Sequence, residues 1–89
     1  MSRMGDGIGG TKMLRKAVEI QESLLGRKHV DTAHSYFNLG SVFANMGNYR
    51  AALKEYGKAL DVYEDRLGSD HIQAKTCRQA YCNMLELSM

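Results

Sequence analysis

Apolar residues recur along most of the chain at spacings of three and four positions, which is the period of an α-helix. Four segments share this pattern, and each of the first three ends at a glycine: Gly26, Gly47 and Gly68. No segment alternates polar and apolar residues with a period of two, so the pattern predicts no β-strands. Because the connections are short, consecutive helices should be antiparallel neighbours. The predicted fold class is therefore all-α, with four antiparallel helices.

The ends of these helices are predicted from residues that commonly cap helices. Thr11 is the predicted N-cap of the first helix and Asp31 that of the second. The third begins near Tyr49, and Ser69 or Asp70 caps the fourth. Residues 1–10 are rich in glycine and show no period, so we expect a disordered tail there and a helical domain over residues 11–89.

A short motif occurs twice, as LGRKHV at residues 25–30 and as LGSDHI at residues 67–72. Gly26 and Gly68 are 42 residues apart, and so are His29 and His71. With the same offset, KAVEIQESLLG at 16–26 aligns with KALDVYEDRLG at 58–68. A fixed offset of this size indicates a repeated unit of helix, loop and helix, in which the first and third helices are equivalent.

The unit resembles the tetratricopeptide repeat. The first half of that repeat has an aromatic residue, then Leu-Gly, then a second aromatic residue. The second half has an alanine, an aromatic residue and a further alanine. The matching residues are Tyr36, Leu39, Gly40 and Phe43, then Ala52, Tyr56 and Ala59. The resemblance implies an α-solenoid fragment, with one full repeat near residues 32–67 flanked by half repeats. It also implies that Gly40 lets the partner helix approach closely. The 42-residue length and the Leu-Gly-x-x-His connection are similar to the long repeats of kinesin light chains, although both connections lack the proline of that family.

The composition and charge of the chain limit the classes of partner that we expect it to bind. The 89 residues carry a net charge of +2, and the two signs are interspersed, so we expect neither a nucleic acid nor a membrane partner. No apolar run reaches the ~18 residues that span a bilayer, and the first residues lack the apolar core of a signal peptide. Cys77 and Cys82 should point about 140° apart around one helix, so reduced thiols in a cytoplasmic protein are expected.

Two features could suggest catalysis or metal binding. The segment GDGIGGTK at residues 5–12 has the glycines of a phosphate-binding loop, but Thr11 precedes Lys12, the reverse of the required order, and no strand comes before it. His29 and His71 should be about one repeat width, ~10 Å, apart, so a shared metal is not expected. We therefore expect no enzyme, no cofactor and no metal. A nucleotide-binding enzyme stays a third hypothesis, which requires the glycine segment to be ordered.

The resemblance implies a protein–protein interaction module or adaptor that binds a peptide or a partner helix on its concave surface. The side of the second helix that faces away from its partner helices, together with the equivalent side of the fourth, supplies the candidate peptide-binding residues. They are His34, Phe37, Asn38, Ser41, Asn45, Thr76, Gln79 and Asn83. Asn38 matches an asparagine that holds the ligand backbone in this family.

The alternative function is self-assembly as a structural segment of a larger repeat protein, with no peptide groove in use. A repeat unit buries its apolar faces against neighbouring units, so open ends favour association. The residues expected to be partly uncovered at the ends are Leu14, Val18, Tyr81, Met84 and Leu85. Self-association through the open repeat ends is therefore expected.

Overall fold

The computed structural model describes residues 3–89, with side chains from residue 11 onward. Four helices follow one another: α1 (Arg3–Leu25), α2 (Val30–Asn45), α3 (Tyr49–Leu67) and α4 (Ile72–Ser88). Each helix packs against its neighbour in sequence, so that α2 lies against both α1 and α3 and α3 lies against both α2 and α4. The described residues contain no strand. The predicted all-α fold of four helices is confirmed.

The start of α1 differs from the prediction. The helix begins at Arg3, eight residues before Thr11, so the predicted N-cap at Thr11 is wrong. Residues 3–10 have a helical backbone where the composition predicts a disordered tail. Glycine costs a helix about 1 kcal/mol per residue but keeps its N–H, and no proline interrupts the segment. Met1 and Ser2 lie outside the described residues, and the division of the chain at residue 10 stays a prediction.

The two copies of the Leu-Gly-x-x-His motif form the turns between α1 and α2 and between α3 and α4. Gly26 and Gly68 follow the helix ends with φ values of 89° and 95°, a backbone region open mainly to glycine. The histidines are the N-caps of the next helices. His29 Nδ1 accepts a hydrogen bond of 3.0 Å from the Asp31 N–H, and His71 Nδ1 accepts one of 3.1 Å from the Gln73 N–H.

The predicted caps Asp31 and Ser69 or Asp70 are therefore wrong, because the capping side chains come from His29 and His71. The imidazole Nδ1 is as many bonds from the backbone as the side-chain oxygen of asparagine, so it reaches the same free N–H groups. The turn between α2 and α3 is of the expected kind. Asn48 Oδ1 accepts from the Ala51 N–H at 3.3 Å, and α3 begins at Tyr49 as predicted.

The core is centred on the contact between α2 and α3. Gly40 lies directly against the ring of Tyr56, because a Cβ added at residue 40 would come within 2.8 Å of that ring. The absence of a side chain at Gly40 therefore sets the distance between the two helices, as the repeat pattern implies. The buried hydrophobic residues of these helices are Ala33, Tyr36, Leu39 and Phe43 on α2 and Ala52, Tyr56, Ala59, Val62 and Tyr63 on α3.

The outer helices are better covered than the sequence predicts. Val18 of α1 and Met84 of α4 are buried, so the expectation that both are partly uncovered is wrong. The reason is that α1 packs on α2, and α4 on α3, through the face that carries these residues. Leu14 and Tyr81 are half-buried and Leu85 is exposed.

We predict that Gly40→Ala lowers the free energy of unfolding by about 1–3 kcal/mol, because the new methyl group overpacks the contact with the buried ring of Tyr56. Gly57 is the matched control, since it is also in mid-helix and faces a tyrosine. Its added Cβ would lie 3.3 Å from the half-buried Tyr81, which can move aside. Gly57→Ala should therefore be neutral or stabilising by up to ~1 kcal/mol. Urea unfolding of both variants checks this, and equal effects would contradict it.

A second prediction concerns the cap of α4. His71→Ala should cost about 0.5–2 kcal/mol, the range for polar N-caps, because the Gln73 N–H loses its acceptor. His71→Asn should restore most of that loss. Asp70→Ala, at a residue that the sequence also favours as a cap, should change thermal stability little. A larger loss for Asp70→Ala than for His71→Ala would show that the assignment of the cap is wrong.

Candidate functional site

The eight predicted peptide-binding residues lie on two helices that both pack against α3. We name them the α2 face (His34, Phe37, Asn38, Ser41 and Asn45) and the α4 face (Thr76, Gln79 and Asn83). The exposed members are Asn38, Asn45, Thr76, Gln79 and Asn83. The other three, His34, Phe37 and Ser41, are half-buried, because each contacts a tyrosine of α3.

Two tyrosines of α3 hold two polar side chains of α2. The hydroxyl of Tyr63 lies 2.6 Å from His34 Nδ1, and that of Tyr56 lies 3.1 Å from Ser41 Oγ. The tyrosines are seven residues apart, and so are their partners, so two equivalent contacts form along antiparallel helices. The hydroxyls thus lie at the edge of the α2 face and orient two of its polar groups.

His34 and Tyr63 share one hydrogen bond, whose direction depends on the tautomer of the imidazole. Burial raises the pKa of Tyr63 to about 12, so the phenol keeps its proton at neutral pH and can donate it to His34 Nδ1. In that arrangement the neutral ring carries its own hydrogen on Nε2, which has no partner among the described residues. His34 then presents an N–H donor away from α3.

The remaining groups of the α2 face are one aromatic ring and two exposed amides. The ring centroid of Phe37 lies 5.2 Å from that of Tyr56, at a tilt of 46°. Asn38 is exposed, and its amide forms no hydrogen bond within the described part of the chain. Asn45 is likewise exposed, at the last turn of α2. The face therefore combines apolar surface with unoccupied hydrogen-bonding groups.

The α4 face is more hydrophilic. Gln79 Nε2 donates a hydrogen bond of 3.1 Å to Asn83 Oδ1, one turn further along the helix. This bond leaves the Gln79 carbonyl and the Asn83 amide hydrogens available. Thr76 is exposed one turn before Gln79. None of the three is buried by α3.

The prediction that all eight residues avoid the partner helices needs correction for His34, Phe37 and Ser41, which contact α3. Tyrosine is long enough for Tyr56 and Tyr63 to reach from α3 to the edge of α2. Both hydroxyls were missed as part of the site from the sequence alone. A usable signal was the spacing, because the two tyrosines are seven residues apart and so are His34 and Ser41. That these eight residues bind a peptide stays a prediction.

The open clefts lie elsewhere, between α1 and α3. One is lined by the buried side chains of Val18, Leu39 and Phe43 and by charged residues of both signs. Glu55 lines it too, is almost fully buried, and has its Oε2 3.6 Å from Lys58 Nζ. The charge pattern of α1 and α3 gives no sign of this cleft, because most of its apolar lining, Leu39 and Phe43, comes from α2.

The described part of the chain offers little for metal or membrane binding. No group of three or more His, Cys, Asp or Glu residues among those described is arranged to hold a metal ion. Within the same residues, no helix is both long enough and apolar enough to cross a bilayer. His29 and His71, the residues considered for a metal, are the helix caps described above.

The two cysteines are free, and their environments differ. Cys77 is completely buried, and its Sγ donates to the Tyr56 carbonyl at 3.4 Å. Burial raises the pKa of the Cys77 thiol to about 12, and the carboxylate of Glu64 adds to the rise. Cys82 is exposed on α4. Cys77 is thus a structural residue, and Cys82 is accessible.

Comparison with known proteins gives two findings. Residues 2–65 match the family described as tetratricopeptide repeat. The chain is also similar to a clustered mitochondria protein homolog of Mycosarcoma maydis, with 31% identity over 77 residues. That alignment covers 86% of this chain and 5% of the relative, so the chain spans a small part of the relative's length.

We predict that iodoacetamide at pH 8 modifies Cys82 in the folded protein and leaves Cys77 unmodified, because alkylation needs an accessible thiolate. Cys77 should react only when the chain unfolds in denaturant. Mass spectrometry of peptides over time distinguishes the two sites. Equal rates of modification in the native protein would contradict the buried position of Cys77.

Proposed function

Because the chain belongs to the tetratricopeptide repeat family, we propose that it binds an extended peptide of a partner protein along the α2 and α4 faces. Repeats of this family are non-catalytic modules that generally mediate protein–protein interaction. The observation that carries the finer proposal is the set of polar groups on α2 that have no partner among the described residues. Such groups gain most from a ligand that supplies hydrogen-bonding partners.

The spacing of these groups supports an extended ligand. His34 and Asn38 are one helical turn apart, a rise of about 6 Å. In an extended chain, carbonyl groups on the same side recur about every 6.6–6.8 Å. With its hydrogen on Nε2, His34 is a donor like the amide of Asn38, and the pair then suits successive carbonyls of one peptide. A main-chain ligand therefore fits this pair better than a single small molecule does.

Phe37 adds apolar contact to the same surface. Its ring contacts Tyr56 and remains half-exposed, so part of it is available to a ligand. Aromatic side chains have few rotatable bonds, so they lose little entropy on binding, and they are frequent at the centres of interfaces. We place the ligand's apolar side chain on Phe37. The polar Thr76, Gln79 and Asn83 of α4 then form the opposite border.

We further propose which type of repeat the chain contains and in which cellular compartment it acts. The 42-residue period and the paired Leu-Gly-x-x-His turns support a long repeat of the kinesin light chain kind, acting as an adaptor. Two unpaired thiols support a reducing compartment such as the cytoplasm.

Self-assembly is the second candidate function. The observation that favours it is a stripe of exposed apolar residues on α1, formed by Met13, Ile20 and Leu24. Exposed apolar stripes of this kind favour association. In this case the chain would bind further repeats or copies of itself, and the α2 face would have no ligand.

To test the main proposal, peptides are first selected on the wild-type chain from a random twelve-residue display library. We predict that Asn38→Ala then weakens binding of a selected peptide about 5- to 30-fold, corresponding to ~1–2 kcal/mol for lost hydrogen bonds. Isothermal titration calorimetry measures the change. Asn38 forms no bond within the described fold, so folding should be unaffected.

Lys54→Ala is the matched control, since Lys54 is equally exposed but lies on α3 beside the α1–α3 cleft. The Lys54→Ala variant should bind the peptide with an affinity within about twofold of that of the wild type, because exposed charges contribute little. If both variants bind as tightly as wild type, or if Lys54→Ala is the weaker one, the assignment of the site to α2 is wrong. A library that yields no binder favours the self-assembly candidate.

A further inference from the structure

A basic cleft lies at the turn between α1 and α2, beside the end of α3. Its charged lining consists of Arg27 and Lys28 from the turn and Arg66 from α3, and no acidic residue of the described chain lines it. Leu25 and Val30, at the two ends of the turn, supply apolar lining. The volume of the cleft, about 620 Å³, is in the range of pockets that hold a ligand and is far larger than one inorganic ion. The cleft therefore has room for a charged side chain together with its neighbours.

Hydrogen bonds at the turn position the donors of this cleft. Arg66 Nε donates a hydrogen bond of 2.9 Å to the Lys28 carbonyl, which holds the guanidinium group of α3 at the turn. The terminal nitrogens of Arg66 form no hydrogen bond within the described part of the chain. His29 also lines the cleft, and its Nδ1 accepts from the Asp31 N–H, so the neutral ring carries its hydrogen on Nε2. The cleft thus combines three cations with one imidazole N–H.

Carboxylates lie near these groups but outside the cleft, and the pairs are loose. The pairs are Arg27 with Glu22 at 3.9 Å, Lys28 with Asp61 at 3.6 Å, Arg66 with Asp65 at 3.9 Å and His29 with Asp31 at 4.0 Å. Charge-assisted hydrogen bonds are about 2.7–2.9 Å long, so none of these pairs is a close one. The cations are therefore available to an anion that enters the cleft.

The turn between α3 and α4 shows that the turn itself does not need these cations. Under the 42-residue offset, Ser69 and Asp70 stand at the positions of Arg27 and Lys28. The two turns nevertheless have the same backbone, because their glycines have φ values of 89° and 95° and a histidine caps the next helix in both. The positive charges of the first turn therefore have no role in forming it, which leaves a role in binding.

We propose that the basic cleft binds a phosphorylated side chain of a partner protein. A phosphate group carries nearly two negative charges and three acceptor oxygens, which match two guanidinium groups, one ammonium group and the imidazole N–H. A carboxylate has one charge and two oxygens and leaves part of this set without a partner. Leu25 and Val30 then contact the residues that flank the phosphorylated one, which a free phosphate ion lacks. This proposal is independent of peptide binding on the α2 face.

The probe is the peptide acetyl-Gly-Leu-phosphoserine-Leu-Gly-amide, titrated into the isotopically labelled full chain. The comparison ligands are the same peptide with unmodified serine, the same peptide with glutamate in place of phosphoserine, and inorganic phosphate. NMR, which detects weak binding, follows the backbone amides of residues 25–30 and the Nε–H of Arg66. We expect the phosphopeptide to shift these signals and to bind at least tenfold more tightly than each comparison ligand.

The double variant Arg27→Ser with Lys28→Asp gives the first turn the residues of the second. Because the second turn forms with those residues, the variant should keep its helical circular dichroism, and Arg27→Gln serves as a second variant if it does not. The double variant should bind the phosphopeptide at least tenfold more weakly. Lys16→Asp with Arg50→Ser is the matched control, since it makes the same change in net charge at exposed positions outside the cleft. Its affinity for the phosphopeptide should stay within about threefold of wild type, because salt screens distant exposed charges.

Several outcomes would overturn the proposal. Equal weakening by the two double variants would show that only net charge matters. Equal binding of inorganic phosphate would indicate an adventitious ion only, and equal binding of the glutamate or serine peptide would remove the requirement for phosphorylation. Shifts confined to the α2 and α4 faces would place the phosphopeptide elsewhere. Tighter binding of a twelve-nucleotide RNA to the same residues would assign the cleft to a nucleic acid.

Discussion

The close approach of α2 and α3 at Gly40 is the contact on which the rest of the structure depends. Because Gly40 has no side chain, the ring of Tyr56 lies directly against the backbone of α2. This distance lets the hydroxyls of Tyr56 and Tyr63 reach Ser41 and His34 on the outer edge of α2. One small residue in the core thus determines both the helix crossing and the orientation of polar groups on the candidate surface.

The same junction occurs twice in the chain. The α1–α2 and α3–α4 junctions use residues at equivalent positions, and both turns end a helix with glycine and cap the next with histidine. Both outer helices expose apolar side chains, since Met13, Ile20 and Leu24 are exposed on α1 and Ile72, Leu85 and Leu87 on α4. Exposed apolar residues of this kind favour association, as the self-assembly candidate requires.

The helical period and the 42-residue offset were sufficient to predict four helices, the third helix start and the core of α2 and α3. They were insufficient for the caps, because histidine is an uncommon N-cap and Asp31 lies close by as a stronger candidate. The start of α1 at Arg3 was not predicted, because the glycine-rich composition of this segment outweighed the absence of any helix-breaking proline. At the site, helical spacing gave the residues that share a face, but the contacts of His34 and Ser41 depend on tyrosines from another helix. Those contacts require the packing of α2 on α3, which spacing within one helix does not determine.

The central claim is that a partner peptide lies on α2, and intermolecular nuclear Overhauser effects test it most directly. A selected peptide is bound to the labelled chain, and contacts between peptide protons and individual side chains are recorded. The account predicts contacts to the ring of Phe37 and to the side-chain amide of Asn38, with further contacts to Gln79 or Asn83 on α4. Contacts confined to the α1–α3 cleft, for example to Val18 and Lys54, would contradict it.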